Sequence, residues 1–513
     1  GEKLSDNNLN KQLWKISNDL RGTMDASEFK NYILGFIFYK HLSEKVQLRV
    51  DELLKNESIN NFSDAMEHEG YKKALKSDCI DNLGYFIEPA YLFSTIIESA
   101  NKKEFILDNL GESFNQILSS TIGEDSEEDF NGLFDDIDLT NNKIGANPQE
   151  RNETICKIML SLYDVKYDTN KDILGDAYEY LLKEFASSAG KKGGEFYTPS
   201  EVSEVVAKLV CIGKTKVLDV YDPTCGSGSL LLKARGEMKG NISYIYGQEL
   251  NTTTYNLCRM NMFLHGVKYN DFQIKQGNTL NNDKFDNQQF ELIVANPPFG
   301  TKWDGEESKL LDLRFKPYGK LAPKSKGEFA FLQHMLYHLK DNGTMASVVP
   351  HGVLFRGAAE LHIRKHMIEQ DNCLDAVIGL PSNLFYGTGI PACILVFKKN
   401  REHKDNILFI DASNDFEKVK TQNVLKEEHI NKIIDTYTKR ISIEKYSNVV
   451  PLSQIIENEY NLNIPRYVDT FEEEEIIDID EVMDKLEELQ KEQEELKKLI
   501  NVDLKELGLR ELK

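Results

Sequence analysis

Long apolar runs are absent from this sequence. No stretch of about 18 consecutive apolar residues occurs, which is the length that a membrane-spanning helix needs. The first residues also lack the charged-then-apolar pattern of a secretory signal. From these absences we expect a soluble, cytosolic protein that does not associate with membranes.

Closely spaced cysteines are absent as well. The seven cysteines lie far apart, with no C-x-x-C pair and no His/Cys cluster at metal-ligand spacing. A disulfide framework and a zinc site are therefore not expected, and we predict that the protein binds no metal. We interpret the cysteines as small buried hydrophobic residues.

Positive charge is in deficit, since 62 Lys and Arg face 84 Asp and Glu, for a formal net charge of −22. A protein that neutralises many phosphates by itself normally carries a basic face. Any action on nucleic acid would therefore depend on a partner for much of the binding. The chain also lacks a G-x-x-x-x-G-K-[ST] phosphate loop and a convincing nuclease motif, so translocation and cleavage are not expected of it.

The pattern of apolar residues changes along the chain. Helical spacing dominates residues 9–163, although the acidic stretch 123–147 resembles a helix-poor boundary with little apolar surface to bury. Between residues 171 and 399, short β-rich runs alternate with helical segments, which predicts a Rossmann-like, doubly wound α/β fold. The strand candidates are 216–221, 244–248, 290–295, 345–349, 374–379 and 394–397.

Near the C-terminus, apolar residues recur at alternating steps of three and four on a charged helix. They are Ile479, Val482, Leu486, Leu489, Leu496 and Ile500, with Gln493 in the one missing position. This heptad pattern predicts a helix that packs on its own domain or pairs with a partner helix. We divide the chain into an N-terminal helical domain (1–165), a catalytic domain (166–415), a connecting region (416–470) and a helical or coiled-coil tail (471–513).

A glycine turn follows the first predicted strand. Its candidate cofactor-binding residues are Asp222, Thr224, Cys225, Gly226, Ser227 and Gly228. Glycines let the backbone approach a ligand closely, and such folds bind nucleotides at the carboxyl end of the first strand. The third glycine of the dinucleotide fingerprint is missing, which disfavours dinucleotide chemistry. Glu249 ends the second strand, where a carboxylate can accept hydrogen bonds from both ribose hydroxyls or remain a solvated charge.

The sequence Asn296-Pro297-Pro298-Phe299 directly follows an apolar strand. Two prolines make the turn rigid and leave two backbone positions without a donor. The Asn296 side-chain oxygen and the Pro297 carbonyl could hold both hydrogens of an exocyclic amine, while Phe299 stacks on the base. The plain alternative is an ordinary proline turn.

Together these residues resemble the amino-methyltransferases of DNA, most closely the modification subunits of type I restriction-modification systems, over residues 9–468. The resemblance implies a Rossmann-like S-adenosylmethionine-dependent methyltransferase sheet, with an N-terminal helical domain and a C-terminal helix. It also implies S-adenosylmethionine as cofactor and N6 of a flipped adenine in DNA as methyl acceptor.

The resemblance extends to three further groups of residues. Glu195, Phe196, Tyr197, Thr198 and Pro199 are similar to the extra motif that helps to hold the methionine part of the cofactor. Asn278 corresponds to a position that contacts the cofactor's adenine and is Asp in many relatives. Tyr386 lies where relatives bring a second aromatic side chain against the flipped base, although it could equally be a packed turn residue.

The resemblance also implies partners. Too little chain follows residue 397 to hold a target-recognition domain, so a separate specificity subunit would read the DNA sequence. We expect a second copy of this chain and a restriction/translocase subunit in the complex, with the tail as an assembly contact. The segment 301–327, with seven Lys/Arg against four Asp/Glu, lies near the DNA backbone or is a solvated loop. Alternatives are methylation of another exocyclic or amide nitrogen, and a non-catalytic scaffold.

Overall fold

A nine-stranded sheet forms the centre of the larger part of the chain. The computed structural model describes residues 2–19, 24, 26–165, 173–189, 197–420, 422–471 and 479–512. The strands of the sheet are β1 (Val217–Asp222), β2 (Ile242–Glu249), β3 (Phe272–Gln276), β4 (Phe290–Ala295), β5 (Leu339–Pro350), β6 (Leu374–Gly379), β7 (Ala392–Lys398), β8 (Asn406–Asp411) and β11 (Ser447–Pro451). Two further strands, β9 (Glu417–Val419) and β10 (Gln422–Val424), pair only with each other.

The strands lie in the order β11-β8-β6-β7-β5-β4-β1-β2-β3. From β3 to β5 all neighbours are parallel, which is the arrangement of doubly wound nucleotide-binding sheets. Strand β7 then lies between β5 and β6 and is antiparallel to both. In a dinucleotide-binding sheet the strand at this place is parallel to its neighbours. The predicted Rossmann-like α/β fold is confirmed, and each of the six predicted strands is present.

The described residues include seventeen α-helices. The first nine are α1 (Glu2–Asp19), α2 (Ala26–Leu54), α3 (Phe62–Met66), α4 (Glu69–Leu83), α5 (Phe93–Asn101), α6 (Leu107–Ser120), α7 (Glu127–Phe130), α8 (Pro148–Tyr163) and α9 (Ile173–Ala189). The others are α10 (Ser200–Cys211), α11 (Ser229–Glu237), α12 (Thr252–Leu264), α13 (Glu328–Tyr337), α14 (Ala359–Glu369), α15 (Glu427–Lys439), α16 (Leu452–Glu457) and α17 (Ile479–Glu506).

Helix α2 is the central helix of the predicted N-terminal helical domain. Every residue from 32 to 43 is buried, so this helix is covered on all sides rather than along one stripe. The start of α8 follows the usual local rules, because the Asn147 side chain accepts a hydrogen bond from Glu150 N and Pro148 occupies the first turn. The predicted N-terminal helical part is confirmed.

The acidic segment 123–147 differs from its prediction. It is poor in helix, as expected, but it buries substantial apolar surface: Phe130, Leu133, Phe134 and Ile137 are all at most 7% exposed. Phe130 packs against Phe263 of α12, with 4.8 Å between ring centroids. The prediction of little buried surface was wrong because these side chains project from successive turns, which produce no helical or strand period.

The chain forms two compact units, Gly1–Asp469 and Thr470–Lys513. The second unit contains α17, a 28-residue helix that includes the predicted heptad positions. Their side chains are 42–72% exposed. The boundaries that we drew between domains stay a prediction, and strand β11 of the proposed connecting region belongs to the main sheet.

Within the described residues, no helix is both long and apolar enough to cross a membrane.

The topology determines where a site can form. Strands β1, β2 and β4 are neighbours and parallel, so their carboxyl ends lie side by side. These ends carry Asp222, Glu249 and the turn that follows Ala295. Open α/β sheets bind their ligands at this edge.

Candidate active site

A cavity of about 730 Å³ lies at the carboxyl ends of β1, β2 and β4. Nine of the predicted cofactor-binding residues line it: Tyr197, Thr198, Asp222, Thr224, Cys225, Gly226, Ser227, Glu249 and Asn278. Asn296 and Pro298 of the proline turn line the same cavity. Segments that are about 100 residues apart in sequence therefore meet around one space, which has room for a nucleoside-sized ligand and a base.

The glycine turn adopts a backbone that requires glycine at two positions. Gly226 and Gly228 have φ values of +54° and +82°, in the left-handed region. A Cβ atom at Gly228 would also lie 2.6 Å from Met262 Cε and 2.9 Å from Cys258 Sγ. Packing behind the turn therefore leaves no room for a side chain at Gly228. Gly226, by contrast, has open space beside it and lines the cavity.

Two carboxylates stabilise the turn from either side. Glu249 accepts hydrogen bonds from Gly226 N (2.8 Å) and Asn251 N (3.0 Å). Asp222, which is 2% exposed, accepts one from Thr224 N at 2.9 Å. Burial raises the pKa of Asp222 to about 8, the Thr224 amide opposes this rise, and the nearby charge of Glu249 adds to it. A cation placed in the cavity would relieve this cost of ionising Asp222.

Two residues that the sequence did not identify hold the turn from behind. Glu179 of α9 accepts hydrogen bonds from Ser229 Oγ (2.7 Å) and from Asn261 Nδ2 (2.6 Å). The same Asn261 amide donates to the Ser227 carbonyl at 2.9 Å. Neither residue belongs to a recognisable motif, and both come from helices remote from the turn in sequence. Their role could not be inferred from local pattern.

Asn278 lines the cavity but uses its side-chain oxygen within its own loop. Its Oδ1 accepts hydrogen bonds from Leu280 N and Asn281 N, each at 3.1 Å. The acceptor is therefore occupied by a local turn, and the Nδ2 donor is the group that remains for the cavity. The next residue, Thr279, donates its hydroxyl to the Pro223 carbonyl and so joins this wall to the glycine turn.

Asn296 is positioned by a hydrogen bond to Thr198. The Asn296 Nδ2 atom donates to Thr198 Oγ1 at 2.8 Å, which fixes the orientation of the side-chain amide. Its Oδ1 atom is inaccessible to solvent and has no hydrogen-bond partner among the described residues. An unpaired buried acceptor is costly, so such a group calls for an explanation, and a functional role is one. Asn296 lines the cavity and carries this unpaired acceptor.

The remaining residues of the proline turn have different surroundings. Pro297 is buried and does not line the cavity, and Phe299 is half-buried beside it. Phe299 packs edge-on against Phe385, with 5.9 Å between ring centroids. The turn ends at Gly300, with φ of +63°, whose amide donates to Glu328 Oε1 at 2.8 Å. Buried Glu328 was not identified from the sequence.

A group of aromatic side chains lies next to the turn. Tyr386 is 6.5 Å from Tyr197, measured between ring centroids, and its neighbour Phe385 contacts Phe299. Burial raises the pKa of Tyr386 to about 12, so its hydroxyl is neutral at physiological pH. The structure thus brings Tyr386 close to the predicted site, although it does not line the cavity.

The predicted upstream motif is described only in part, because Glu195 and Phe196 lie outside the described residues. Of its described residues, Tyr197 and Thr198 line the cavity. Pro199 is buried and precedes α10, where its carbonyl accepts the Ser203 amide at 3.0 Å.

The cavity wall also includes parts of the N-terminal helices. Lys30 and Asn31 of α2, together with Leu182, Phe185 and Ala186 of α9, line it. Nothing in the local sequence connects α2 with the sheet, so these residues could not have been identified by motif. The N-terminal helical part is therefore a structural component of the site.

Comparisons with known proteins agree with this geometry. The sequence matches the family described as N-6 DNA Methylase over residues 169–476, and the HsdM N-terminal domain over residues 9–162. It is 38% identical to the type I restriction enzyme MpnII methylase subunit of Mycoplasma pneumoniae, covering 98% of both chains. It is 32% identical to the MjaVII methylase subunit of Methanocaldococcus jannaschii, covering 96% of this chain and 83% of that one.

A solved structure shares most of this architecture. The crystal structure of a type I restriction-modification methyltransferase subunit from Streptococcus thermophilus superimposes with a TM-score of 0.85, at 42% identity. The match covers 91% of this chain and all of the other. The expected resemblance is thereby confirmed: the chain belongs to the N-6 DNA methylase family of adenine-specific DNA methyltransferases, among the methylase subunits of type I restriction enzymes.

Proposed function

We propose that this chain transfers a methyl group from S-adenosylmethionine to N6 of an adenine flipped out of DNA. The observation that carries the proposal is the buried, unpaired Oδ1 atom of Asn296 at the wall of the cavity. An adenine amine placed there would donate one hydrogen to this atom. The Asn296 oxygen is thus suited to bind the amine of the target adenine. The glycine turn is suited to bind a nucleoside cofactor.

The residues around the cavity fit S-adenosylmethionine. The left-handed Gly226 leaves open space beside the backbone, the Glu249 carboxylate lines the cavity next to it, and Asn278 offers a donor. We assign Glu249 to the ribose hydroxyls, Asn278 to the adenine edge, and Tyr197 and Thr198 to the methionine end. When bound, the cofactor supplies a methyl group made electrophilic by its sulfonium.

The chain itself activates the amine by holding it. The amine of adenine is a weak nucleophile because its lone pair is delocalised into the ring. A hydrogen bond to Asn296 Oδ1, and a second to the Pro297 carbonyl, would favour a tetrahedral nitrogen whose lone pair faces the methyl group. Thr198 keeps the Asn296 amide in this orientation. Phe299 and Tyr386 would stack against the base and exclude water.

Partners complete the proposal. A separate specificity subunit would read the DNA sequence and supply phosphate contacts, because acidic residues outnumber basic ones in this chain by 84 to 62. A second copy of the chain and a restriction/translocase subunit would join the same complex, with α17 as an assembly contact. The relative from Streptococcus thermophilus is described as a subunit of a type I restriction-modification system, which supports this division of labour.

The acceptor can be tested directly. The full chain is combined with its specificity subunit, S-adenosylmethionine and duplex DNA, and the digested nucleosides are analysed by mass spectrometry. We expect N6-methyladenine alone. N4-methylcytosine would identify the exocyclic amine of cytosine as the methyl acceptor instead. Methylation of protein would identify an amide nitrogen as the acceptor. Cofactor binding without any methylated product would support a scaffold.

A further inference from the structure

Arg314 is a buried cation in the segment that follows the proline turn. Its side chain is almost fully buried, and its Nε and Nη2 atoms donate to the two oxygens of Asp312 at 3.0 and 2.6 Å. Burial alone would raise the pKa of Asp312, but the hydrogen bonds and charge of Arg314 lower it below its usual value. The pair therefore forms a neutralised, bidentate unit within the segment 301–327.

The other edge of the guanidinium holds the wall of the cavity. Arg314 Nη1 donates to the Thr279 carbonyl at 2.9 Å, and Nη2 donates to the Leu280 carbonyl at 2.8 Å. Both residues line the cavity next to Asn278. A planar fork of donors can satisfy two adjacent carbonyls and a carboxylate together, which a lysine ammonium cannot do with the same geometry.

A third contact reaches the first strand of the sheet. Arg314 Nη1 donates to His334 Nδ1 at 3.0 Å, and His334 Nε2 lies 2.8 Å from the Tyr221 hydroxyl. A guanidinium only donates, so Nδ1 is the acceptor and Nε2 carries the proton. Burial lowers the pKa of His334 well below its usual value, in agreement with a neutral ring. Tyr221 directly precedes Asp222 of the glycine turn.

The same cluster could be mistaken for a metal site. One ligand atom each from Asp283, His334 and His338 lies within 4.8 Å of the others. The positively charged Arg314, however, already lies against His334 Nδ1. The two ring nitrogens of His338 lie 2.6 Å from Gln288 O and 2.6 Å from Asp283 Oδ2, so both already have a partner within the protein. The members of this cluster are therefore held by one another and by Arg314.

We propose that Arg314 is a positioning residue that ties the adenine wall of the cofactor site to the segment 301–327. Binding of the cofactor against Thr279 and Leu280 would then order the segment that leaves the proline turn. By linkage, a segment held on DNA would bind the cofactor more tightly. Exposed Lys302, Lys316 and Lys320 lie on this segment, so the coupling would present cations to the DNA backbone once the cofactor is bound. This inference rests on the proposed use of S-adenosylmethionine.

The test uses the full chain and S-adenosylhomocysteine as the probe. Arg314→Lys is compared with wild type and with Arg401→Lys, a control at another buried arginine. Arg401 forms a similar fork with Asn372 and Asp375 at the start of β6, and none of the three lines the cavity. Calorimetry gives the affinity for the probe, and hydrogen exchange with and without the probe gives the protection of residues 301–327.

We expect the probe to slow exchange across residues 301–327 in wild type and in Arg401→Lys, but not in Arg314→Lys. Arg314→Lys should also bind the probe about tenfold more weakly, since at least one charge-assisted hydrogen bond to the wall is lost. If Arg314→Lys fails to fold, Asp312→Asn replaces it, with the same loss of protection and an affinity loss of about threefold.

Three outcomes would overturn the inference and are distinguishable. Wild-type affinity and wild-type protection in the Arg314 or Asp312 variant would remove the positioning role and leave the proposed function intact. No binding of the probe to wild type would instead contradict the proposed cofactor, and the inference would fail with it. Equal loss of affinity in Arg401→Lys would reduce the effect to general stability and likewise contradict the positioning role.

Discussion

At the scale of single residues, the two glycines of the cofactor turn differ in what surrounds them. Both have left-handed φ values, but only Gly228 is crowded from behind, by Met262 and Cys258. A methyl group at Gly226 would cause backbone strain alone, whereas one at Gly228 would also displace packed side chains. Alanine substitutions at the two positions therefore separate the contribution of backbone conformation to stability from the contribution of packing.

We therefore predict that Gly226→Ala lowers the free energy of unfolding by about 1 kcal/mol, the cost of a left-handed backbone for alanine. Gly228→Ala should lower it by about 2–4 kcal/mol, because overpacking adds to the strain. Denaturant unfolding of both variants measures the difference. Equal destabilisation would show that Met262 and Cys258 can move aside without cost.

Asp222 gives a prediction of pH dependence. Its pKa is raised from 3.8 to about 8 in the folded chain by burial, so the folded state binds the proton more tightly than the unfolded state. The resulting stabilisation is complete below pH of about 4 and is lost as the pH rises through about 8. Asp222→Asn keeps an acceptor for Thr224 N and cannot titrate.

We expect the free energy of unfolding of wild type to fall between pH 5 and pH 8 relative to that of Asp222→Asn. Urea unfolding of the two proteins at several values of pH gives this difference directly. A constant difference across the range would mean that Asp222 ionises in the folded chain as easily as in water.

At the scale of elements, helix α12 is fastened to the N-terminal part by side chains on one face. Asp136 accepts hydrogen bonds from Thr253 Oγ1 and Asn256 Nδ2, both at 2.7 Å. Arg259, which is buried, donates to three backbone carbonyls of the segment 128–131. Thr253 and Thr254 line the cavity, so this contact fixes part of the cavity wall against the N-terminal part.

Removal of the Asp136 carboxylate tests this contact. We predict that Asp136→Ala lowers the free energy of unfolding by about 2 kcal/mol, the sum of two side-chain hydrogen bonds, and weakens the binding of S-adenosylhomocysteine. Asp135→Ala, at the exposed neighbouring carboxylate, is the matched control and should bind the ligand as wild type does. Calorimetry measures the affinity of both variants for S-adenosylhomocysteine. Unchanged affinity in Asp136→Ala would show that ligand binding does not depend on the contact between α12 and the N-terminal part.

The elements that could be predicted from sequence are those with a regular period. Strands such as β4 and β6 are apolar apart from one acidic residue each, Glu291 and Asp375, because helices cover both faces of the sheet. Strand β3 has only two buried side chains in five, and it was not recognised. The heptad helix α17 was recognised because a period of three and four extends over its length.

The site followed the same rule. Residues on short, rigid turns directly after a strand, such as Gly226 and Asn296, could be identified because sequence neighbours determine the turn. Glu179, Asn261 and Lys30 reach the site only through packing of helices from distant parts of the chain. No local pattern encodes such contacts, and a single sequence contains no record of them.

At the scale of the whole molecule, the net charge of −22 and the exposed apolar side chains of α17 both indicate dependence on partners. Exposed leucines at heptad spacing are stabilised when another helix covers them. We propose this contact as the way in which the chain joins its complex.

The double variant Leu486→Asp/Leu489→Asp should weaken assembly with the specificity subunit by about tenfold or more, since it places charges in the apolar seam. Its binding of S-adenosylhomocysteine should be unchanged. Glu487→Ala/Glu488→Ala, on the same helix outside the seam, is the control. Native mass spectrometry of the mixed subunits measures assembly, and undiminished complex formation by the Leu double variant would exclude the seam as the contact.

In the proposed reaction Asn296 provides the acceptor that holds the target amine, and methyl transfer by Asn296→Ala measures this role. Wild type and variant are each assembled with the specificity subunit, and transfer of tritium from labelled S-adenosylmethionine to duplex DNA is measured beside calorimetric binding of S-adenosylhomocysteine. We predict that the variant binds the ligand within about twofold of wild type while its methyl-transfer rate falls about 100-fold or more, as when one preorganised hydrogen-bond partner of a transition state is removed. Methyl transfer at the wild-type rate would contradict the account, because the unpaired oxygen of Asn296 would then have no part in the reaction.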